Sequence, residues 1–518
     1  MQAHPGKSMM GLIHGSGSRL QIYNPEPIIN VLLPTSRRNT PRAVPRLSVI
    51  PFRSLATLGI TAVLAGCVHV PPAPVDLSAR ASARVGGTIN LSQIQARAAA
   101  LAPGVPQPAS GLDRLGLFAA IVADDPRVIA ARDAVEVARR DARVAHKAAS
   151  PMLALSTDYT NDPSMPSPWQ IGATADVQLD FGGRKKGRIR GAELAVVGAG
   201  YDLIDTIWTE RTAAMRGLVD VMAGARQIAL GDELVAMLDR QLAAMQRRVD
   251  AGEMAALTLT QVRGSRAAAA RARDDAAGRV AAGRAAIATV LGVSAAALDT
   301  VPLVWPEFGD APYASAITPA DVRAALVHRA DVLGKLVAYD QAEAALRVEL
   351  AKQMPSISLA PGYTWEGGLF HIPFGLNLQS PSFDLNRSAI AAAEARRAAA
   401  GQTIETALAD AQGAIDAAAS ERRAAQTALL RLQTEELPQA RRAADRADTQ
   451  LHLGAIDRAD WAALKVTEIA ARLAAVDALV RLRSAQVTLE AALRRPLDGP
   501  ETGISVRTDP ALGGVIQP

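Results

Sequence analysis

The chain repeats itself. Leu153 to Thr160 follows Pro151, and Ile357 to Thr364 follows Pro355. Pro151 to Pro355 and Tyr159 to Tyr363 are both separated by 204 residues. Phe181 to Phe383, Gly252 to Gly454 and Leu291 to Leu493 are each separated by 202. A register kept with one two-residue slip marks a duplication, so the fold must be built twice from one set of elements. Coincidence between Ala-rich helices does not reproduce the Pro and Tyr positions.

Each half reads in the same order. A helix comes first, over roughly 124–149 and 319–353, with Val332, Leu333, Leu336, Tyr339 and Leu346 at helical spacing. Pro151 and Pro355 then initiate segments of period 2, the β-hairpins 151–183 and 355–385. Long helices fill the rest. No proline occurs between Trp169 and Val301, and Pro438 alone interrupts 382–495. A helix over 184–250 is about 100 Å long at 1.5 Å per residue. The paired helices turn at Gly252 and Gly454, where glycine relieves the left-handed strain of a helix end.

Composition fits this plan. Hydrophobic residues make up 49% of the 518 residues but aromatics only 3%, so alanine supplies much of the apolar content. Close helix packing through small residues is expected, rather than several ordinary cores. Half of the aromatics after residue 66 fall in the two hairpin windows: Tyr159, Trp169, Phe181, Tyr363, Trp365, Phe370, Phe374 and Phe383. Aromatics on alternating strands of about ten residues suit a transmembrane β-barrel with interfacial girdles. Two hairpins are too few strands to close a barrel, and lipid demands closure, so several chains would share one. The competing reading is a small sheet capping a soluble bundle.

The N-terminus reads as an address. Residues 1–45 lack periodicity. Arg42, Arg46 and Arg53 precede the apolar run Leu55–Leu64, too short to span a bilayer, and Leu64-Ala65-Gly66 lead into Cys67. These four residues resemble the lipobox of bacterial lipoproteins, which implies cleavage before Cys67 and its acylation. Cys67 is the one cysteine, so no intramolecular disulfide framework or Cys-rich metal site exists. The net charge of +5 belongs to this address. Residues 1–66 hold seven Lys and Arg and one acid, leaving 49 bases and 50 acids after cleavage. An acidic macromolecular partner such as nucleic acid is therefore not indicated.

The ordered set of motifs resembles the TolC-type outer-membrane efflux protein family over about 115–497. The residues that carry it are Gln353-Met354-Pro355-Ser356-Ile357 at strand initiation, and Ser380-Pro381-Ser382-Phe383-Asp384-Leu385-Asn386-Arg387 at the exit. Leu437-Pro438-Gln439-Ala440 and Leu453-Gly454 add to it. Asp180-Phe181-Gly182-Gly183-Arg184-Lys185 is similar to members associated with heavy-metal export. The resemblance implies a mainly α fold with four transmembrane strands per protomer. A homotrimer would complete a 12-stranded barrel above a periplasmic helical tunnel. It also implies a periplasmic adaptor and an inner-membrane pump as partners, and no enzymatic chemistry. Members commonly place an acid near Asp460, so Asp460 with Asp457 is the expected entrance ring; the half-one counterpart of Asp460 is Thr258.

The expected organisation is then an extension and signal over 1–66, a lipidated tether over 67–112, a repeat over 113–301, a linker over 302–318, a second repeat over 319–497 and a tail over 498–518. The basic run Arg184, Lys185, Lys186, Arg188 and Arg190 lies just below a strand and is expected to meet anionic headgroups or solvent. The seven His show no metal-ligand spacing, and no cofactor or catalytic motif is present. A helical adaptor or scaffold lipoprotein is the alternative, but it would not carry two aromatic hairpins. Replacement Cys67→Ser is expected to abolish palmitate incorporation and to leave the signal uncleaved at that site. Labelled, normally processed Cys67→Ser protein would refute the lipobox.

Overall fold

The computed structural model describes residues 70–504, except 107, 109, 162, 165, 181 and 311–315. Cys67 and Phe181 therefore lie outside the described residues. The chain divides at Val75, and the body begins at Asp76.

Two short helices, α1 (Leu77–Val85) and α2 (Leu91–Leu101), come first. Asp76 and Asn90 cap them by accepting from the backbone N–H three residues on. The segment expected as a tether to residue 112 is thus part of the body. Arg84 Nη1 donates to the Gly292 carbonyl at 2.6 Å, and Ile94 and Leu112 enter the main core.

The first repeat holds α3 (Arg114–Asp124), α4 (Pro126–His146), β1 (Met152–Tyr159), β2 (Trp169–Leu179), α5 (Arg184–Asp250), α6 (Leu257–Val290) and the short α7 (Ala295–Asp299). The second holds α8 (Pro319–His328), α9 (Ala330–Ala351), β3 (Ser356–Glu366), β4 (Leu369–His371) and β5 (Phe374–Gln379). It continues through α10 (Arg387–Arg431), α11 (Leu437–His452) and α12 (Arg458–Leu493). The proline-free stretch delivers α5 as one helix of 67 residues.

In the second repeat the helix expected over 319–353 is broken in two, and the first repeat carries the same break at the start of its expected helix. Asp125 (ψ 123°) separates α3 from α4, and Arg329 (ψ 131°) separates α8 from α9. These two positions are also 204 apart. Asp125 caps α4 ahead of Pro126. Arg329 is buried and donates to both Asp331 carboxylate oxygens and to the Ala492 carbonyl, which fixes the break. In the second repeat the long ascending helix contains a π turn, Leu432–Glu436, directly before Pro438. Proline offers no N–H, and its ring crowds the carbonyl four residues back; one widened turn relieves this.

Close packing through small residues is visible where α5 crosses α6. A Cβ placed on Gly217 would meet the Gly283 carbonyl at 2.8 Å, and one on Gly283 would meet that of Gly217 at 2.7 Å. Only hydrogen fits at that crossing. The main core around it gathers Leu117, Ile121, Leu203, Met215, Leu218, Ile287 and Leu482.

The body also closes on an ionic cluster. Arg211 donates to Glu490 at 2.8 Å and to Glu501. Arg114 reaches Asp498 at 2.6 Å and Glu501 at 3.3 Å. Arg483 donates to the carbonyls of Asp310 (2.6 Å) and Glu307. Trp305 lies between two guanidinium groups, Arg114 at 4.9 Å and Arg483 at 5.0 Å from its ring centre. Burial opposes the Arg114 charge, but Glu501, Glu490 and Asp498 outweigh it and raise its pKa above the ordinary value. Burial lowers that of Arg483, and neighbouring Arg114 adds to the effect. Hence Trp305 and Phe308 at the start of the expected linker enter the main core, and Asp498 and Glu501 at the start of the expected tail join the ionic cluster.

The helix ends of the two repeats differ at one instructive place. After α6, Gly292 takes φ 64° with its carbonyl against Arg84. Its counterpart 202 residues later, Arg494, takes φ 53° despite its side chain. Arg494 pairs with Asp205 at 2.5 Å and Asp331 at 3.8 Å, which offsets a left-handed cost of about 1 kcal/mol.

Removing Arg211 leaves the two buried carboxylates Glu490 and Glu501 to share one cation, Arg114. Arg211→Met is expected to cost about 3–5 kcal/mol and to lower the melting temperature followed by near-UV circular dichroism. A wild-type melt would show that the cluster does not hold the body together.

Candidate functional site

The sheet is antiparallel in the order β1-β2-β3, and β3 then pairs with both β4 and β5. The returning strand is β5, Phe374–Gln379, and the short β4 precedes it. Pro373 cannot donate to the ladder, and the chain bends between His371 and Phe374, where Gly362 N–H donates to the Pro373 carbonyl. Pro151 and Pro355 each stand one residue before their strand.

Register sorts the side chains onto two faces. Ser156 opposes Gly172, Asp158 opposes Gln170, Gly172 opposes Thr364 and Ser358 opposes Asn377. Apart from Met152 at one end and Leu369 at the other, that face is polar or small. Asp176 binds its neighbours together there, accepting from Ser358 Oγ at 2.9 Å and Asn377 Nδ2 at 2.8 Å. The other face opposes Leu155 to Ala173, Ile171 to Trp365, Trp365 to Phe370 and Leu359 to Leu376. It is apolar and open: Leu155 is 76% exposed, Phe374 68% and Leu378 65%. An uncovered apolar sheet face of this extent marks a surface made for a partner or for lipid.

The aromatics collect at one end of the apolar face. Tyr159 meets Trp169 edge to face at 5.0 Å, and Tyr363 stacks on Phe370 at 6.5 Å. Trp365 and Phe374 complete that rim through their pairings. Phe383 is fully exposed at the opposite end, past β5. The 11-residue strands β2 and β3 are about 36 Å long at ~3.3 Å per residue, enough at ~45° tilt for an apolar band of ~25 Å. Among the described residues, no helix is long and apolar enough to cross a membrane.

The far ends of the long helices form the second feature. Both helical hairpins end in the same motif. Gly252 (φ 75°) donates to the Val249 carbonyl and Glu253 to that of Arg248; Gly454 (φ 67°) donates to Leu451 and Ala455 to Gln450. The two tips are joined by Arg248 Nη1 to Asp457 at 2.7 Å and by packing of Met245, Leu259 and Ala459. Asp457 caps α12, accepting from Ala459 and Asp460 N–H groups at 2.8 Å each. It is engaged within the chain, whereas the Asp460 side chain is exposed one turn into α12. Thr258 donates to the Ala255 carbonyl in the first tip.

Sequence reasoning missed a second tip anchor. Asp448 accepts from Lys465 Nζ and Trp461 Nε1, both at 2.7 Å. The Lys465 bond, then the Trp461 bond, hold its carboxyl below the usual range. Spacing alone did not reveal that Trp461 is a donor here rather than a core residue.

Residues 118–293 match the family model described as outer membrane efflux protein. Among solved structures, CusC aligns with a TM-score of 0.61 at 18% identity, covering 76% of this chain and 99% of its own. The outer-membrane channel OprN aligns with a TM-score of 0.62 at 17% identity, covering 83% and 98%. The outer membrane protein VceC of Vibrio cholerae aligns with a TM-score of 0.60 at 15% identity, covering 74% and 97%. No curated protein sequence matches this chain.

At the tip, the exposed Arg248–Asp457 pair is worth at most about 1 kcal/mol, while the cap is worth about 0.5–2 kcal/mol. Asp457→Asn should therefore destabilise less than Asp457→Ala in chemical unfolding. Equal losses would mean that the ion pair, not the cap, governs this end.

Proposed function

We infer that this chain, whose residues 118–293 match the outer membrane efflux protein model, is the passive exit duct of a tripartite export system. The observation that carries this reading is the sheet. It presents one apolar face, one polar face and two unpaired edges, β1 on one side and β4 with β5 on the other. Backbone groups on those edges cannot stay unpaired in hydrocarbon, so further strands must join them. Four strand positions in each of three copies give twelve, a closed barrel with its apolar face to lipid and its polar face to water.

The homotrimer then sets the roles of the remaining parts. The aromatic rim seats at the outer interface. The long helices extend below the barrel as a tunnel in the periplasm, and their tips at Gly252 and Gly454 meet a periplasmic adaptor and, through it, an inner-membrane pump. Acylated Cys67 tethers each protomer to the outer membrane. Three copies of Asp460 form a carboxylate ring at the entrance, favouring cations over anions. The duct performs no chemistry; energy comes from the pump.

Outer-membrane fractions should contain a heat-sensitive trimer that gives single-channel steps in planar bilayers. Asp460→Ala should change conductance and weaken cation preference. A soluble monomer once the acyl chains are removed would overturn the duct. Unchanged conductance and selectivity in Asp460→Ala would overturn the ring alone.

A further inference from the structure

We propose that the base of the sheet carries a cleft for the phosphate of an anionic phospholipid headgroup, a site that rests on the membrane placement above. The cleft has a volume of about 260 Å³. It lies at the end of the sheet opposite the Tyr159–Trp169 rim, where β2 ends and β3 begins. Gln178, Asp180 and Ser356 come to it from the strands, and Arg184, Lys185 and Arg188 from the first turns of α5. Three bases face one acid, so the cleft is positive.

The bases divide by role. Arg184 is committed: its guanidinium donates to the carbonyls of Ala351 and Met354, fastening α5 to the end of α9. Among the described residues, Lys185 and Arg188 have no ion-pair partner. Their neighbours on α5 explain why. Gly187 is turned to Val348 of α9, and Glu193 is turned to His146 of α4 at 3.3 Å. Lys185 and Arg188 fall on the flank that neither helix covers.

The surroundings select the anion. A guanidinium forks onto phosphate oxygens and an ammonium adds a point charge. Unlike a free phosphate, a phospholipid also has acyl chains to place. Leu153 and Leu378, both on the apolar face, stand exposed at this end of the sheet. Charge and apolar surface therefore meet at one level, as a headgroup and its chains do.

The test uses the purified full-length trimer in detergent, titrated with short-chain phosphatidylglycerol, phosphatidylcholine or inorganic phosphate, and followed by thermal melting and native mass spectrometry. Phosphatidylglycerol should raise the melting temperature and appear as bound lipid. The Lys185→Gln/Arg188→Gln variant should need about tenfold more of it or greater. A charge-keeping Lys185→Arg/Arg188→Lys variant should retain binding. Equal response to phosphatidylcholine, an unaffected neutral variant, or saturation by inorganic phosphate alone would each overturn the lipid site. Trimer formation and conductance of the wild type, measured in parallel, report separately on the duct.

Discussion

The constraint on which this structure turns is a sheet with one open apolar face and two free edges. A sheet whose apolar face is open cannot be left with free edges once that face meets hydrocarbon. Every other part accommodates this demand. The strands are long enough to cross the apolar band, and the polar face carries its own bonding through Asp176, Ser358 and Asn377. The helices that hold the strands are rigid because they pack backbone to backbone, as at Gly217 and Gly283. A loose support would let the register of the edge strands wander, and register decides which face each side chain takes.

The ionic cluster has a different task. It ties together segments that are distant in sequence: Arg114 near the start, Arg211 in the middle of α5, Glu490 in α12 and Glu501 near the end. Each charge is balanced by at least one opposite charge, so the cluster tolerates burial that isolated groups would not. It sits beside the main core, where the long helices would otherwise have no tie to the chain's ends. The duplicated helices supply length, and this aperiodic cluster closes the body around them.

That division explains what could be read from residues alone. Periodicity and duplication are local and regular, so α5, both hairpins and both tip glycines were legible. The break at Arg329 was not, because it depends on Asp331 and on the Ala492 carbonyl 163 residues away. Nor was the inclusion of Trp305 in the core and of Glu501 in the buried ionic cluster, since Pro- and Gly-rich stretches read as linker and tail until their partners are known. The same holds at the tip. The sequence placed Asp457 and Asp460 together as acids, but geometry separates a capping, ion-paired carboxylate from a solvated one. The two faces of the sheet were legible as alternation; the pairing that gathers the aromatics at one rim required the register.

The contrast between Gly292 and Arg494 bears on how such a duplication ages. Both positions occupy the same left-handed turn, so an ancestral copy with glycine is compatible with both. Once arginine occupies the second copy, its guanidinium joins Asp205 of the first repeat to Asp331 of the second. Asp205 is half-buried, and burial pushes its carboxyl upward while Arg494 draws it back down. A return to glycine would relax the backbone but take from Asp205 its close cation, while Asp331 would keep Arg329. The substitution is thus an evolutionary ratchet: two halves that were once interchangeable become mutually dependent, and neither can afterwards be replaced by a fresh copy of the other.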